Sequence, residues 1–173
     1  MTRNYAATIS TFALMIAVTQ CERGGESVRH QSDSAFAAMQ ARGQTVMGVD
    51  QYASAHVFED LEDGGRIVLD ADNLSDTAGI VAIRHHMRDI ATAFRVGDFA
   101  RPFQVHARVV PGTSVMAARA SKITYETADR PRGAEVRIAT SDSAAVAAIH
   151  AFLAFQRTEH HAADHEVMPH GAH

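Results

Sequence analysis

The sequence predicts an α+β fold in which two ββα units form one antiparallel sheet with both helices packed on one face. Three observations carry that prediction. Two pairs of short alternating segments are each joined by a glycine-bearing turn: residues 52–61 with 66–69 through Glu62-Asp63-Gly64-Gly65, and 123–127 with 135–140 through Arg130-Pro131-Arg132-Gly133. This is the patterning of β-hairpins. After each pair, apolar residues recur at helical spacing. The helix openings also align, Asp76-Thr77-Ala78-Gly79-Ile80-Val81-Ala82-Ile83 against Asp142-Ser143-Ala144-Ala145-Val146-Ala147-Ala148-Ile149. Internal duplication explains the shared order, and chance use of a common Asp-small-apolar opening is the alternative. Units of this kind bury a sheet face against helices around one core.

The chain begins with a positive Met1-Thr2-Arg3-Asn4, a mostly apolar stretch from Tyr5 to Val18 and a polar exit at Glu22-Arg23-Gly24-Gly25. A positive start and an apolar run of about 7–15 residues describe a secretory signal, too short for a stable membrane span. Cys21 stands where the run stops. Its place resembles the lipobox of bacterial lipoproteins, with Val18 and Thr19 acceptable and Gln20 where that pattern has a small residue. The resemblance implies lipidation of Cys21 and anchoring in the bacterial cell envelope. Ordinary signal-peptidase cleavage, which makes Cys21 incidental and the protein periplasmic, is the other reading. Residues 1–20 are expected to be the signal peptide, 21–33 a flexible tether, 34–158 one α+β domain and 159–173 a His-rich tail.

Within the domain, Ser34 is expected to cap a short helix over 34–41, with Phe36 and Met39 as its apolar contacts. The first hairpin carries Val57, Phe58, Ile67, Val68 and Leu69. Ser75-Asp76 opens a helix with Ile80, Ile83, Met87, Ile90, Ala91 and Phe94 on one face, stopping near Val96 before Gly97. Residues 103–110 read as extended, with Pro111-Gly112 punctuating them and Val115-Met116 extended beyond. Ser141-Asp142 opens the last helix, with Val146, Ile149, Phe152 and Leu153 inward, reaching Gln156 or a little further.

Composition narrows the function classes. With 16 basic and 20 acidic residues and a formal charge of −4, the chain lacks the electrostatic footprint of a nucleic-acid binder. No Trp and three Tyr argue against stacking on sugars or bases. A single cysteine rules out an internal disulfide, a Cys-based zinc site and an iron–sulfur cluster. No Gly-x-Ser-x-Gly elbow and no His-Glu-x-x-His occurs, and neither glycine pair belongs to a phosphate loop. The acids Glu59, Asp60, Glu62 and Asp63 read as a solvated turn. What stands out is 11 His in 173 residues, which in an exported protein points to a transition metal.

Three of these histidines form the candidate site. His86 flanks the apolar stripe of its helix beside Gly79, Ala82 and Ala93, while His85 projects about 100° round toward solvent. His56 shares a strand face with Ser54 and Phe58, and His106 lies on the segment read as extended, beside Gln104 and Arg108. If His56, His86 and His106 converge, they supply three imidazoles, a donor set for copper or zinc. Met116 is a candidate thioether that would favour Cu(I), with core filler as its alternative role. His150 is expected to be a half-buried structural residue. In the tail, His160, His161 and His165 with Asp164 form a secondary collector for copper, nickel or zinc. The expected function is an exported envelope protein that binds a transition metal, copper first, for storage, delivery or tolerance. Its membrane contact would be the lipid alone. A module for a protein or small apolar ligand and a metal-dependent envelope enzyme are the alternatives.

Overall fold

The β-strands fall where the alternation puts them. In the computed structural model, which describes residues 20–160 with side chains from 33 onward, β1 (Ser54–Leu61) and β2 (Gly64–Ala71) form the first hairpin. The second is β3 (Thr124–Arg130) with β4 (Gly133–Ala139). The leader, the Cys21 side chain and the tail beyond His160 lie outside the described residues. The chain divides into two units, residues 1–35 and 36–173, and the sheet, its covering helices and the core belong to the second.

The first helix, α1, runs Gln20–Met47. The segment expected as a tether over 21–33 is therefore helical backbone, and the helix expected over 34–41 is longer at both ends. Glu, Arg, Gln and Ala are good helix formers, and they outweigh Gly24 and Gly25 at about 1 kcal/mol each relative to alanine. No helix among the described residues is long and apolar enough to cross a membrane.

The four strands make one antiparallel sheet in the order β1-β2-β4-β3. Its inner face carries Ile67, Leu69 and Ala71 of β2 and Ala134, Val136 and Ile138 of β4, none more than 4 % exposed. Its outer face carries the opposite residues, knitted by ion pairs from Glu59 to Arg66, Arg66 to Glu135, Glu135 to Arg130 and Arg130 to Asp70. That face is satisfied in water, so all the cover goes to the other. The helix α2 (Thr77–Arg95) packs chiefly on β3 and β4, and α5 (Ser143–Glu159) on β1 and β2. Each ββα unit thus sends its helix over the hairpin of the other.

The pairing obeys an approximate twofold. Ile67 of β2 pairs with Val136 of β4, and the hairpins superimpose in register on those same two residues. Equivalent helix residues do equivalent work. Arg84 of α2 donates to the carbonyls of Arg130 (2.6 Å) and Gly133 (3.1 Å), which flank the second hairpin turn. His150, one unit later, donates from Nε2 to the carbonyl of Leu61 (2.9 Å), the counterpart of Arg130. Asp76 and Asp142 cap α2 and α5, accepting from Gly79 N at 2.9 Å and Ala145 N at 3.1 Å. Ile83 and Ile149 occupy matching core positions, 1 % and 0 % exposed. Gly64 and Gly133 match too: a Cβ would meet Ile138 O at 2.2 Å in one and Leu69 O at 1.9 Å in the other.

The connection between the units is helical where extended chain was expected. Residues 103–110 contribute to α3 (Ala100–His106), and Val115 and Met116 lie in α4 (Thr113–Ala118), followed by a 3-10 turn at Ala120–Lys122. The alternation of Phe103 and Val105 misleads, because the buried set is Pro102, Val105 and His106, a helical face. Pro102 is tolerated because it sits in the first turn. Gly112, at φ +82, starts α4 at a point where a Cβ would lie 2.1 Å from the carbonyl of Ala148.

Candidate functional site

A cavity of about 60 Å³ lies under the helices at the β1 side of the sheet. Its wall is mostly apolar, with Phe58, Ile67, Ile90, Phe94 and Phe152 among the lining residues, and into it come His56, His86, His106 and His160. The structure therefore brings together the three histidines proposed from sequence and adds a fourth.

Each arrives from a different element. His56 is on β1, on the same strand face as the buried Phe58, and is itself half-buried. The two rings stack with centroids 5.5 Å apart and planes 9° apart. His86 sits on α2 beside Met87, 6 % exposed. His106 closes α3, just before Ala107 in the left-handed region (φ 52). Its side chain is 1 % exposed. His160 caps α5 at its C-terminal end. Its ring lies 4.9 Å from that of His56, 5.3 Å from His106 and 5.7 Å from Phe58, so it stands between the two other imidazoles.

Burial governs the protonation of these rings. Loss of hydration pushes His56 down to about 4, with the neighbouring His86 adding to the effect. His86 is likewise pushed down to about 4, first by burial and then by the Arg101 guanidinium, with Asp89 opposing. Burial also lowers His106, against the pull of Gln156 and Glu159. At neutral pH these imidazoles are uncharged and keep a lone pair. His106 Nε2 lies 3.0 Å from Gln156 Oε1, so this nitrogen carries the hydrogen and donates. Its Nδ1 is buried with no hydrogen-bond partner among the described residues, 3.8 Å from a carboxylate oxygen of Glu159.

The remaining polar lining is Arg101 and Gln156. Arg101 is held by Asp89 at 3.2 Å, and the exposed His85 approaches the same carboxylate at 3.4 Å. Among the described residues, no three His, Cys, Asp or Glu side chains stand where they could together hold a metal ion. The imidazoles share a cavity, and as they stand they do not share a point.

Two sequence assignments move. Met116 is 0 % exposed in the main core and is not among the residues lining the cavity; core filler is its place. His160 leaves the tail collector for the cavity wall, while His161 and His165 lie outside the described residues. A signal for His160 was present in the chain: Phe152, Gln156 and His160 recur every four residues, and all three line the cavity. Met47 and Arg101 also reach it, and no local pattern marks either. Compared with family models, curated proteins and solved structures, the chain matches none.

Proposed function

We propose that this protein binds one transition-metal ion, copper by preference, in the histidine cavity, and does so in the cell envelope for storage, delivery or tolerance. The observation that carries the reading is the arrival of four imidazoles from β1, α2, α3 and the C-terminal end of α5 at one small cavity, His86 and His106 buried and His56 and His160 half-buried. Metal binding requires neutral imidazole, and burial already holds His56 and His86 in that form. The space suits an ion with little or no water. A drug-sized apolar ligand needs about 300–1,000 Å³, far beyond the 60 Å³ present. The rings must turn to meet one ion, and the His160 ring is centred 4.9 Å from that of His56 and 5.3 Å from that of His106. Placement in the envelope rests on the leader and on Cys21.

The test is metal analysis and anaerobic Cu(I) titration of untagged protein, with and without residues 161–173. The tail-less chain is expected to keep one tightly held ion. The variant His56→Gln/His86→Gln/His160→Gln is expected to lose it. Unchanged stoichiometry and affinity in that variant would overturn the proposal.

A further inference from the structure

The alignment that matches Ile83 of α2 with Ile149 of α5 also pairs His86 with Phe152, Ile90 with Gln156 and Phe94 with His160. All six line the cavity. In each of these pairs one member is polar and the other apolar, whereas the core pair Ile83 and Ile149 is apolar on both sides. The polar members are not fully met by the protein. His86 is 6 % exposed, and neither its ring nor that of His56 hydrogen-bonds another described residue. A neutral imidazole carries one donor and one acceptor, and buried groups of this kind are costly to leave without a partner. Arg101, also in the wall, gives Nη2 to Asp89 at 3.2 Å, and its Nε and Nη1 donate to no described residue.

Charge and size narrow what can meet these donors. None of the described lining residues is acidic, and at His86 the charge of Arg101 outweighs that of Asp89. The field therefore favours a negative occupant. A water needs about 10–15 Å³ of cavity and benzene occupies one of about 150 Å³. By that scale the 60 Å³ present admits about three or four heavy atoms. We infer that the cavity binds a small monocarboxylate of formate or acetate size, its oxygens on the Arg101 guanidinium and the His86 N–H and its carbon end against the apolar wall. The planar guanidinium fork matches a carboxylate. An occupant of that size fills the space, and the neighbouring His56 ring lies in the same wall. Binding of this kind needs no metal ion.

The experiment is a titration of full-length, chelator-treated protein, nitrogen-labelled at histidine, with sodium acetate and sodium formate at constant ionic strength. Long-range proton–nitrogen spectra report the imidazoles, assigned with His56→Gln and His86→Gln. Both salts are expected to shift the His86 and His56 ring signals saturably. Acetamide has the shape of acetate without its charge, and it is expected to bind at least about tenfold more weakly, as charge-assisted hydrogen bonds are about twice as strong as neutral ones. Arg101→Gln should weaken acetate by at least about tenfold, and Arg101→Lys, which keeps the charge and loses the fork, by a smaller factor. A ring signal that neither carboxylate shifts saturably overturns the site. Equal affinity for acetate and acetamide in the unaltered protein, or acetate affinity unchanged in Arg101→Gln, overturns the assignment of an anion. With no metal present, each result is separate from that of the copper titration.

Discussion

Tyr125 keeps its hydroxyl in the core with 2 % exposure, and that oxygen has no hydrogen-bond partner among the described residues. Burial accordingly pushes the phenol far above its usual range. An unsatisfied buried hydroxyl costs about 1–3 kcal/mol, so Tyr125→Phe is expected to stabilise the fold by about 1 kcal/mol, read as a higher urea midpoint at unchanged slope. A lower midpoint would show that the hydroxyl is satisfied. His86 gives a second residue-scale expectation, for metal-free protein. Its pKa falls from the ordinary 6.5 to about 4 on folding, so between those values the unfolded chain binds the extra proton. Stability then drops as pH falls from 6.5 toward 4, by about 3 kcal/mol at roughly 1.4 kcal/mol per unit. His86→Gln should flatten that slope; an equal slope in both proteins would refute it. His86 was legible because its helix stripe fixes its angle, and His56 because strand alternation fixes its face. His160 was hidden by company, since five histidines crowd the last fourteen residues and obscure its phase with Phe152 and Gln156. Met47 and Arg101 reach the cavity only through tertiary packing, which no local spacing encodes.

Helices and hairpins follow from caps and turns, and here the sequence was most readable. Asp76 and Asp142 start α2 and α5 as the Asp-small-apolar openings require. Asp76→Ala should cost about 1 kcal/mol, the usual value of such a cap. Asp142→Ala should cost more, because the same carboxylate also meets Arg119 at 3.1 Å and Lys122 at 2.7 Å. Those partners, with the Lys122 hydrogen bond foremost, hold Asp142 well below the usual carboxylate range. The stabilisation is complete above the ordinary aspartate pKa near 3.9 and is lost as pH falls through the depressed one. Acid titration of unfolding midpoints should therefore separate wild type from Asp142→Asn most at neutral pH and least in strong acid. The connection between the units was less readable. Short helices such as α3 and α4 have too few turns to establish a period. Phe103 and Val105 imitate a strand while Pro102, Val105 and His106 do the burying.

At the scale of the molecule, the approximate twofold predicts that equivalent positions carry equivalent weight. Ile83→Ala and Ile149→Ala should each cost about 2–5 kcal/mol in chemical denaturation, the range for deleting a buried aliphatic side chain. A near-zero value for either would break the correspondence. The hairpins, the helix openings and the match between units were all legible; the exchange of helices was not, because local patterning is silent on which sheet face a helix reaches. That exchange shapes how the chain must fold during synthesis. When the ribosome has released residues up to α2, that helix has no β3–β4 hairpin to sit on, and the β1–β2 hairpin still lacks α5. Before the second hairpin and α5 emerge, only the β1–β2 pairing and the lesser contact of α2 with β2 can form, so much of each half's apolar face stays bare, a hazard shared by topologies with distant contacts. A fragment of residues 36–110 is expected to stay unfolded by circular dichroism and to gain structure when a fragment of residues 111–160 is added. The two ββα units are, in effect, mutual chaperones encoded in one polypeptide.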